Sequence, residues 1–211
     1  MDAIVLQILN GLDKGSAYAL IALGLTLIFG TLGVVNFAHG ALFMIGAFCA
    51  VTMQRLLSLS HTVIDPTQTD FLGNPLQTKV PYLASVFGTE GATSLIAWSV
   101  PLSIILVIPV MLFVGWAMER GLIKHFYKRP HADQILVTFG LAIVLQEIIR
   151  AVYGANPIQS PAPPMFSGSV DLGTYIGFQA NAVVYPIWRL VYFGFSAIII
   201  AAVFAFLQFT T

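Results

Sequence analysis

Between Lys14 and Arg55 the chain runs for 40 residues, 15–54, without a single Asp, Glu, Lys or Arg. A straight α-helix of that length would reach about 60 Å, twice the ~30 Å hydrocarbon core of a bilayer. The run therefore has to hold two membrane spans and a break between them. Its most polar point is Asn36-Phe37-Ala38-His39-Gly40, so the break is expected at 36–40, with a first span at 15–35 and a second at 37–54. Residues 3–12 are also mostly apolar and extend the first span outward.

The rest of the sequence has the same character. Of 211 residues 58% are hydrophobic and only 9% charged, against roughly 25% in an ordinary soluble domain, and the mean hydropathy is +0.89. Such a chain is neither disordered, which needs low hydrophobicity and high charge, nor a typical soluble enzyme. Its net charge of zero leaves no basic footprint for nucleic acid. The single Cys49 excludes an intrachain disulfide framework and a Cys-rich zinc site. A third span is expected over Gly91–Met118, with Pro101 and Pro109 inside it, a fourth over Gln134–Tyr153 and a fifth over Leu190–Phe209. The expected fold is all-α: a polytopic helical membrane protein of about five transmembrane helices with a broken helix at 36–40. The whole of 1–211 reads as one transmembrane domain.

Orientation follows from the basic residues, which favour cytoplasmic loops. Arg120, Lys124, Lys128 and Arg129 crowd into 119–133, whereas 154–189 holds only Arg189 and 55–90 only Arg55 and Lys79. The 119–133 loop is thus cytoplasmic, and the 58–90 and 154–185 loops are external. Parity puts the 36–40 break on the inner side and the N-terminus outside. Asp2 in place of a basic n-region argues against a cleaved signal peptide, so the first span is read as retained. The external segments are rich in turn formers: Asp65, Pro66, Asp70, Gly73, Asn74, Pro75 and Pro81 in one; Asn156-Pro157, Ser160-Pro161-Ala162-Pro163-Pro164, Gly168 and Gly173 in the other. They are either connectors or a docking surface for an external partner. No long-period repeat is visible.

Several polar residues fall at membrane depth. Asn36 precedes a new apolar helix, where its side-chain oxygen can accept from the N–H groups of the next turn; His39 lies in that turn, and Gly40 permits close backbone approach. The motif reads either as a helix start with a satisfied imidazole or as a break lining a pore, because irregular backbone in a bilayer survives only when buried in protein or facing a water-filled cavity. Glycines gather nearby, with Gly11 and Gly15 four apart and Gly46 and Ala50 likewise; small residues at that spacing let helices pack closely in lipid. Glu147 and Arg150, three apart, can form an anchoring ion pair on one helix face. Asp133 is a plausible N-cap for the fourth span, and Gln134 and Thr138, which begin it, are given no chemistry. There is no phosphate-binding loop, no nucleophile elbow and no His-Glu-x-x-His. With His61 outside and His125 and His131 in the inner loop, His39 has no partner for a metal.

The stretch GLTLIFGTLGVVNFAHGALFMIGA, Gly24–Ala47, resembles the N-terminal region of the branched-chain amino acid ABC importer permeases, in which a Gly-rich first helix runs into Asn-Phe-Ala-His-Gly and a second helix. Gly15-Ser16-Ala17-Tyr18-Ala19-Leu20, the Glu119-Arg120 pair followed by a basic loop, and the Ile135–Gln146 helix are similar too. The resemblance covers most of 10–155. It implies a permease subunit of an ATP-driven importer in the bacterial inner membrane. The partners implied are a second permease subunit, cytoplasmic ATP-binding subunits and a periplasmic substrate-binding protein. No cofactor is expected on this chain and no catalysis, with Asn36, Phe37, His39 and Gly40 as candidates for the substrate path. Phe37 leans the substrate toward hydrophobic amino acids; urea or short amides are the alternative within the family. A cytoplasmic coupling loop should follow the fifth span; the chain is therefore expected to be either a fragment of a longer permease, which the apolar end of the fifth span favours, or a natural truncation. Readings outside the family are a stand-alone channel or secondary transporter, which needs intramembrane carboxylates, and an intramembrane enzyme or structural subunit.

Overall fold

The structure, a computed structural model, describes residues 2–33, 36–69, 75–158, 160, 164–177 and 183–210. Seven α-helices dominate them: α1 (Asp2–Leu32), α2 (His39–Leu57), α3 (Ala84–Ala97), α4 (Ser99–Gly121), α5 (His131–Tyr153), α6 (Leu172–Ile176) and α7 (Ile187–Thr210). Two small antiparallel sheets complete them, β1 (Ser60–Thr69) with β2 (Pro75–Pro81), and β3 (Ser169–Asp171) with β4 (Val184–Pro186). Five helices are long and apolar enough to cross a membrane. The chain divides into two compact units, residues 1–45 with 115–211, and residues 46–114.

The pattern of burial is that of a protein whose solvent is lipid. Large aliphatic and aromatic side chains such as Ile105, Leu112, Phe113, Leu136 and Phe204 are exposed, while Ser16, Ser99, Ser103, Thr138 and Ser196 are buried. Water does not drive Leu inside when lipid tails are as apolar as Leu, so the inward faces carry small residues that let backbones approach. Their hydroxyls bond back into their own helices: Ser16 to the Asp13 carbonyl, Ser103 to Val100 and Ser196 to Tyr192.

Helix boundaries follow local chemistry. α1 is one continuous helix of 31 residues, about 46 Å long, so the expected first span at 15–35 extends back through 3–12. It stops at Gly33, whose φ of +63° only glycine adopts without cost; the Gly33 N–H closes the last turn on the Phe29 carbonyl. The third span begins at Ser99, not at Gly91. The apolar residues before it form the separate helix α3, which ends at Trp98 with φ −90° and ψ 10°. Pro101 then lies in the first turn of α4, where an N–H would be orphaned anyway. Pro109 sits inside α4 and cannot bond the Ile105 carbonyl. α5 begins at His131 with Pro130 as N-cap. Asp133 is therefore not the cap: it lies in the first turn, its N–H bonded to the Pro130 carbonyl, where its charge still favours a helix start.

Both segments expected to be external are more regular than their turn formers suggest. In the second unit, Thr62-Val63-Ile64 read as strand, being β-branched, and β1 pairs with β2 in the register His61↔Val80 and Val63↔Thr78. Asp70, Gly73 and Asn74, named as turn formers, lie outside the described residues, as do Pro161, Ala162 and Pro163. In the first unit, Val170 pairs with Tyr185 across β3 and β4. The Asp171 carboxylate caps α6 through the Gly173 N–H and the Thr174 hydroxyl. The basic loop is short and braced. The Tyr127 hydroxyl donates to Glu119 at 3.2 Å; burial, then that bond and the nearby negative charge, raise the phenol above its ordinary value of ten.

Candidate functional site

The interruption after α1 is built by three pieces of chain from the first unit. α1 ends at Leu32 and α2 begins at His39; the described residues between them, 33 and 36–38, are non-helical, and His39 and Gly40 already belong to the second helix. Asn36 is buried, and its Oδ1 accepts the Ala38 N–H at 3.0 Å. This is an Asx-type turn, one step ahead of the helix, and it orients a second bond from the His39 N–H to the Asn36 carbonyl. The Leu42 N–H then bonds to the Ala38 carbonyl, which makes Ala38 the true N-cap. Ala38, Ala41 and Ile45 are buried along one face of α2.

A further donor is met from a distant part of the sequence. The Phe37 N–H donates to the Thr138 hydroxyl on α5 at 3.1 Å, while that hydroxyl donates to the Gln134 carbonyl at 2.8 Å. Gln134, one turn below, gives its amide to the Phe126 and Arg129 carbonyls of the basic loop. Its Oε1 is buried without a partner. Thus Thr138 and Gln134, which the sequence left without a role, tie the break to α5 and α5 to the basic loop. The only signal for them was two polar residues four apart on an apolar helix.

His39 anchors the break to α1. Its Nε2 lies 3.2 Å from the Ile21 carbonyl, so Nε2 carries the proton and donates. The ring lies over Gly24, where a Cβ would meet Cε1 and Nε2 at 2.9 Å. The close approach expected at Gly40 is therefore made at Gly24; nothing lies within 4 Å of a Cβ built at Gly40. Phe37 is half exposed. Asn36, Phe37 and His39 are thus gathered at one helix start, joined by Gly24 and Thr138, with no carboxylate, lysine or arginine in these bonds. Among the described residues no three His, Cys, Asp or Glu side chains gather as a metal would require.

A second polar cluster lies between α1 and α7. Arg189 donates from Nη1 to Asn10 Oδ1 at 2.8 Å, and its Nε stands 3.9 Å from Asp13. The Tyr185 hydroxyl, delivered by β4, donates to the Leu9 carbonyl at 3.2 Å, and the guanidinium lies over the Tyr185 and Trp188 rings. Residues 9–13 of α1 meet 185–189, and residues up to Ala19 face as far as Ile200. The two helices therefore run in the same direction, as the first and fifth of five consecutive spans must. Glu147 and Arg150 form the expected ion pair at 2.9 Å, more than half exposed on both sides.

Comparison with known proteins accords with this architecture. Residues 7–211 match the family model described as branched-chain amino acid transport system / permease component. The chain is 50% identical over 200 residues to the high-affinity branched-chain amino acid transport system permease protein BraD of Pseudomonas aeruginosa, covering 92% of this chain and 54% of that protein. It is 26% identical over 196 residues to the corresponding proteins named LivH of Salmonella typhimurium and Escherichia coli, covering 92% of this chain and 53% of each. The chain thus spans about half the length of the curated relatives it matches. No solved structure matches. With five apolar helices and a family match over residues 7–211, this chain belongs to the permease components of branched-chain amino acid transport systems and is a multi-pass membrane protein, not an enzyme.

Proposed function

We propose that the protein is a membrane-spanning subunit of an ATP-driven importer for branched-chain amino acids in the bacterial inner membrane. One observation carries this reading: the family match takes in the break together with the helices on either side of it. The relatives' names supply the substrate class. Their bacterial sources support placing it in the inner membrane.

In this reading the break lines the path. Asn36, Phe37, His39 and Gly40 offer a helix start whose N–H groups favour a carboxylate beside an exposed phenyl ring that suits an aliphatic side chain. The subunit works with a second permease, cytoplasmic ATP-binding subunits and a periplasmic binding protein, the hairpin of β1 and β2 being the surface offered outside. ATP is bound and hydrolysed by partners, and this chain holds no cofactor. The test is uptake of labelled leucine, isoleucine, valine and urea by vesicles containing the full-length protein and its co-purified partners. Uptake of the three amino acids on ATP addition supports the reading. Uptake of urea alone, or ATP-independent flux, overturns it.

A further inference from the structure

The cluster at Arg189 is the head of a two-part cavity. Gln7, Asn10, Gly11, Lys14 and Arg189 line a polar hollow of about 340 Å³. Below it, an almost wholly apolar cavity of about 480 Å³ lies between α1 and α7, bounded by Gly11, Gly15, Ala19, Phe193, Ala197 and Ile200 among others. Gly11 lines both, so polar and apolar hollows adjoin. No heavy atom lies within 4 Å of a Cβ built at Gly11 or at Gly15, so these glycines leave space rather than seal the helix pair. From Gly11 to Ala19 the apolar part descends about 12 Å along α1. The charge around the head is unbalanced. Lys14 and Arg189 stand against one carboxylate, Asp13, which reaches Arg189 only at 3.9 Å, and the Arg189 Nε is buried with no hydrogen-bond partner. The cluster thus carries one net positive charge and an unused donor.

We propose that this cavity is a binding site for an anionic phospholipid, with the phosphate between Lys14 and Arg189 and an acyl chain in the apolar hollow between α1 and α7. A monoanionic headgroup matches the net charge, and the head-above-tail arrangement matches a lipid standing in the leaflet to which the first turns of both helices belong. The Tyr185 and Trp188 rings against Arg189 suit the interfacial depth at which aromatic side chains settle.

The experiment is native mass spectrometry of the full-length protein, with whatever subunits accompany it, released from nanodiscs of phosphatidylglycerol and phosphatidylethanolamine. Retained phosphatidylglycerol is expected on each copy. Lys14→Gln, which breaks no bond seen between α1 and α7, should lower retention about fivefold, the effect of one basic residue near a lipid surface. Gly11→Leu, which fills the hollow and keeps both cations, should lower it as well. Phosphatidylglycerol retention unchanged in both variants, or absent in the unaltered protein, overturns the proposal. So does displacement of the lipid by millimolar leucine or inorganic phosphate, which would assign the cations to a soluble anion. The readout is independent of uptake, so its failure leaves the importer reading untouched.

Discussion

The break after α1 and the strap between α1 and α7 solve the same problem, polar groups among apolar helices, in opposite ways. At the break the backbone itself is irregular and its partners are short side chains, none of them a carboxylate, lysine or arginine: an amide oxygen, a threonine hydroxyl and an imidazole. At the strap the helices are regular, and the polar work is done by one long charged side chain, Arg189 in the first turn of α7, with Asn10 and Asp13 about three turns into α1. The difference teaches where cost is tolerated. Charge is expensive in hydrocarbon and is retained where it can reach the interface. Unpaired N–H groups are tolerable at depth only if short, neutral side chains come to meet them. A strap holds helices together; a break held by short side chains leaves an open helix start.

The comparison predicts that substitutions at the strap chiefly lower stability, whereas substitutions at the break chiefly lower uptake. The largest loss of stability is expected from Arg189→Leu, which removes a charged hydrogen bond and leaves Asp13 unpaired: about 1.5–3 kcal/mol. Thermal unfolding of the full-length protein in detergent would measure it, with uptake per folded complex close to normal. Thr138→Val comes next. It leaves the Phe37 N–H without an acceptor at a cost of about 1–3 kcal/mol, but uptake should fall further than stability, and Thr138→Ser should restore both. Equal losses of uptake in Arg189→Leu and Thr138→Val would erase the distinction. Asn36→Leu should cost about 0.5–2 kcal/mol and reduce transport while the assembled complex is still recovered. Glu147→Gln is the smallest, about 0.2–1 kcal/mol, because both partners of that ion pair are exposed; a larger shift in melting temperature would show that the pair is buried in the assembled protein.

How far these features were legible depended on the range of the interaction behind them. The spans were, because absence of charge over 20 residues is a local property with one physical meaning; so was the break, since 40 charge-free residues cannot be one helix. The start of the third span was misjudged by eight residues because α3 is as apolar as a span, and only the stop at Trp98 divides it from α4. The hairpin of β1 and β2 was hidden by Asp65 and Pro66, which read as turn formers although they lie within a strand. Asn36 could be read as a helix starter because its bond to Ala38 is two residues long. Thr138 could not, because its partner lies 101 residues away; Arg189 was seen only as a loop charge, since nothing local ties it to Asn10.

The central claim is that the break faces the translocation path, and Phe37 tests it most directly. Its side chain is half exposed at the helix start, and Cys49, the single cysteine of these 211 residues, would be replaced together with any others of the full-length protein. Phe37→Cys in a Cys49→Ser background, in vesicles containing the full-length protein and its partners, would be treated with a water-soluble, bilayer-impermeant thiol reagent. The account predicts that the thiol is modified, that modification blocks amino-acid uptake, and that excess leucine slows the labelling. A thiol that stays unmodified from both sides of the membrane, with uptake unimpaired, would place Phe37 in lipid and contradict it.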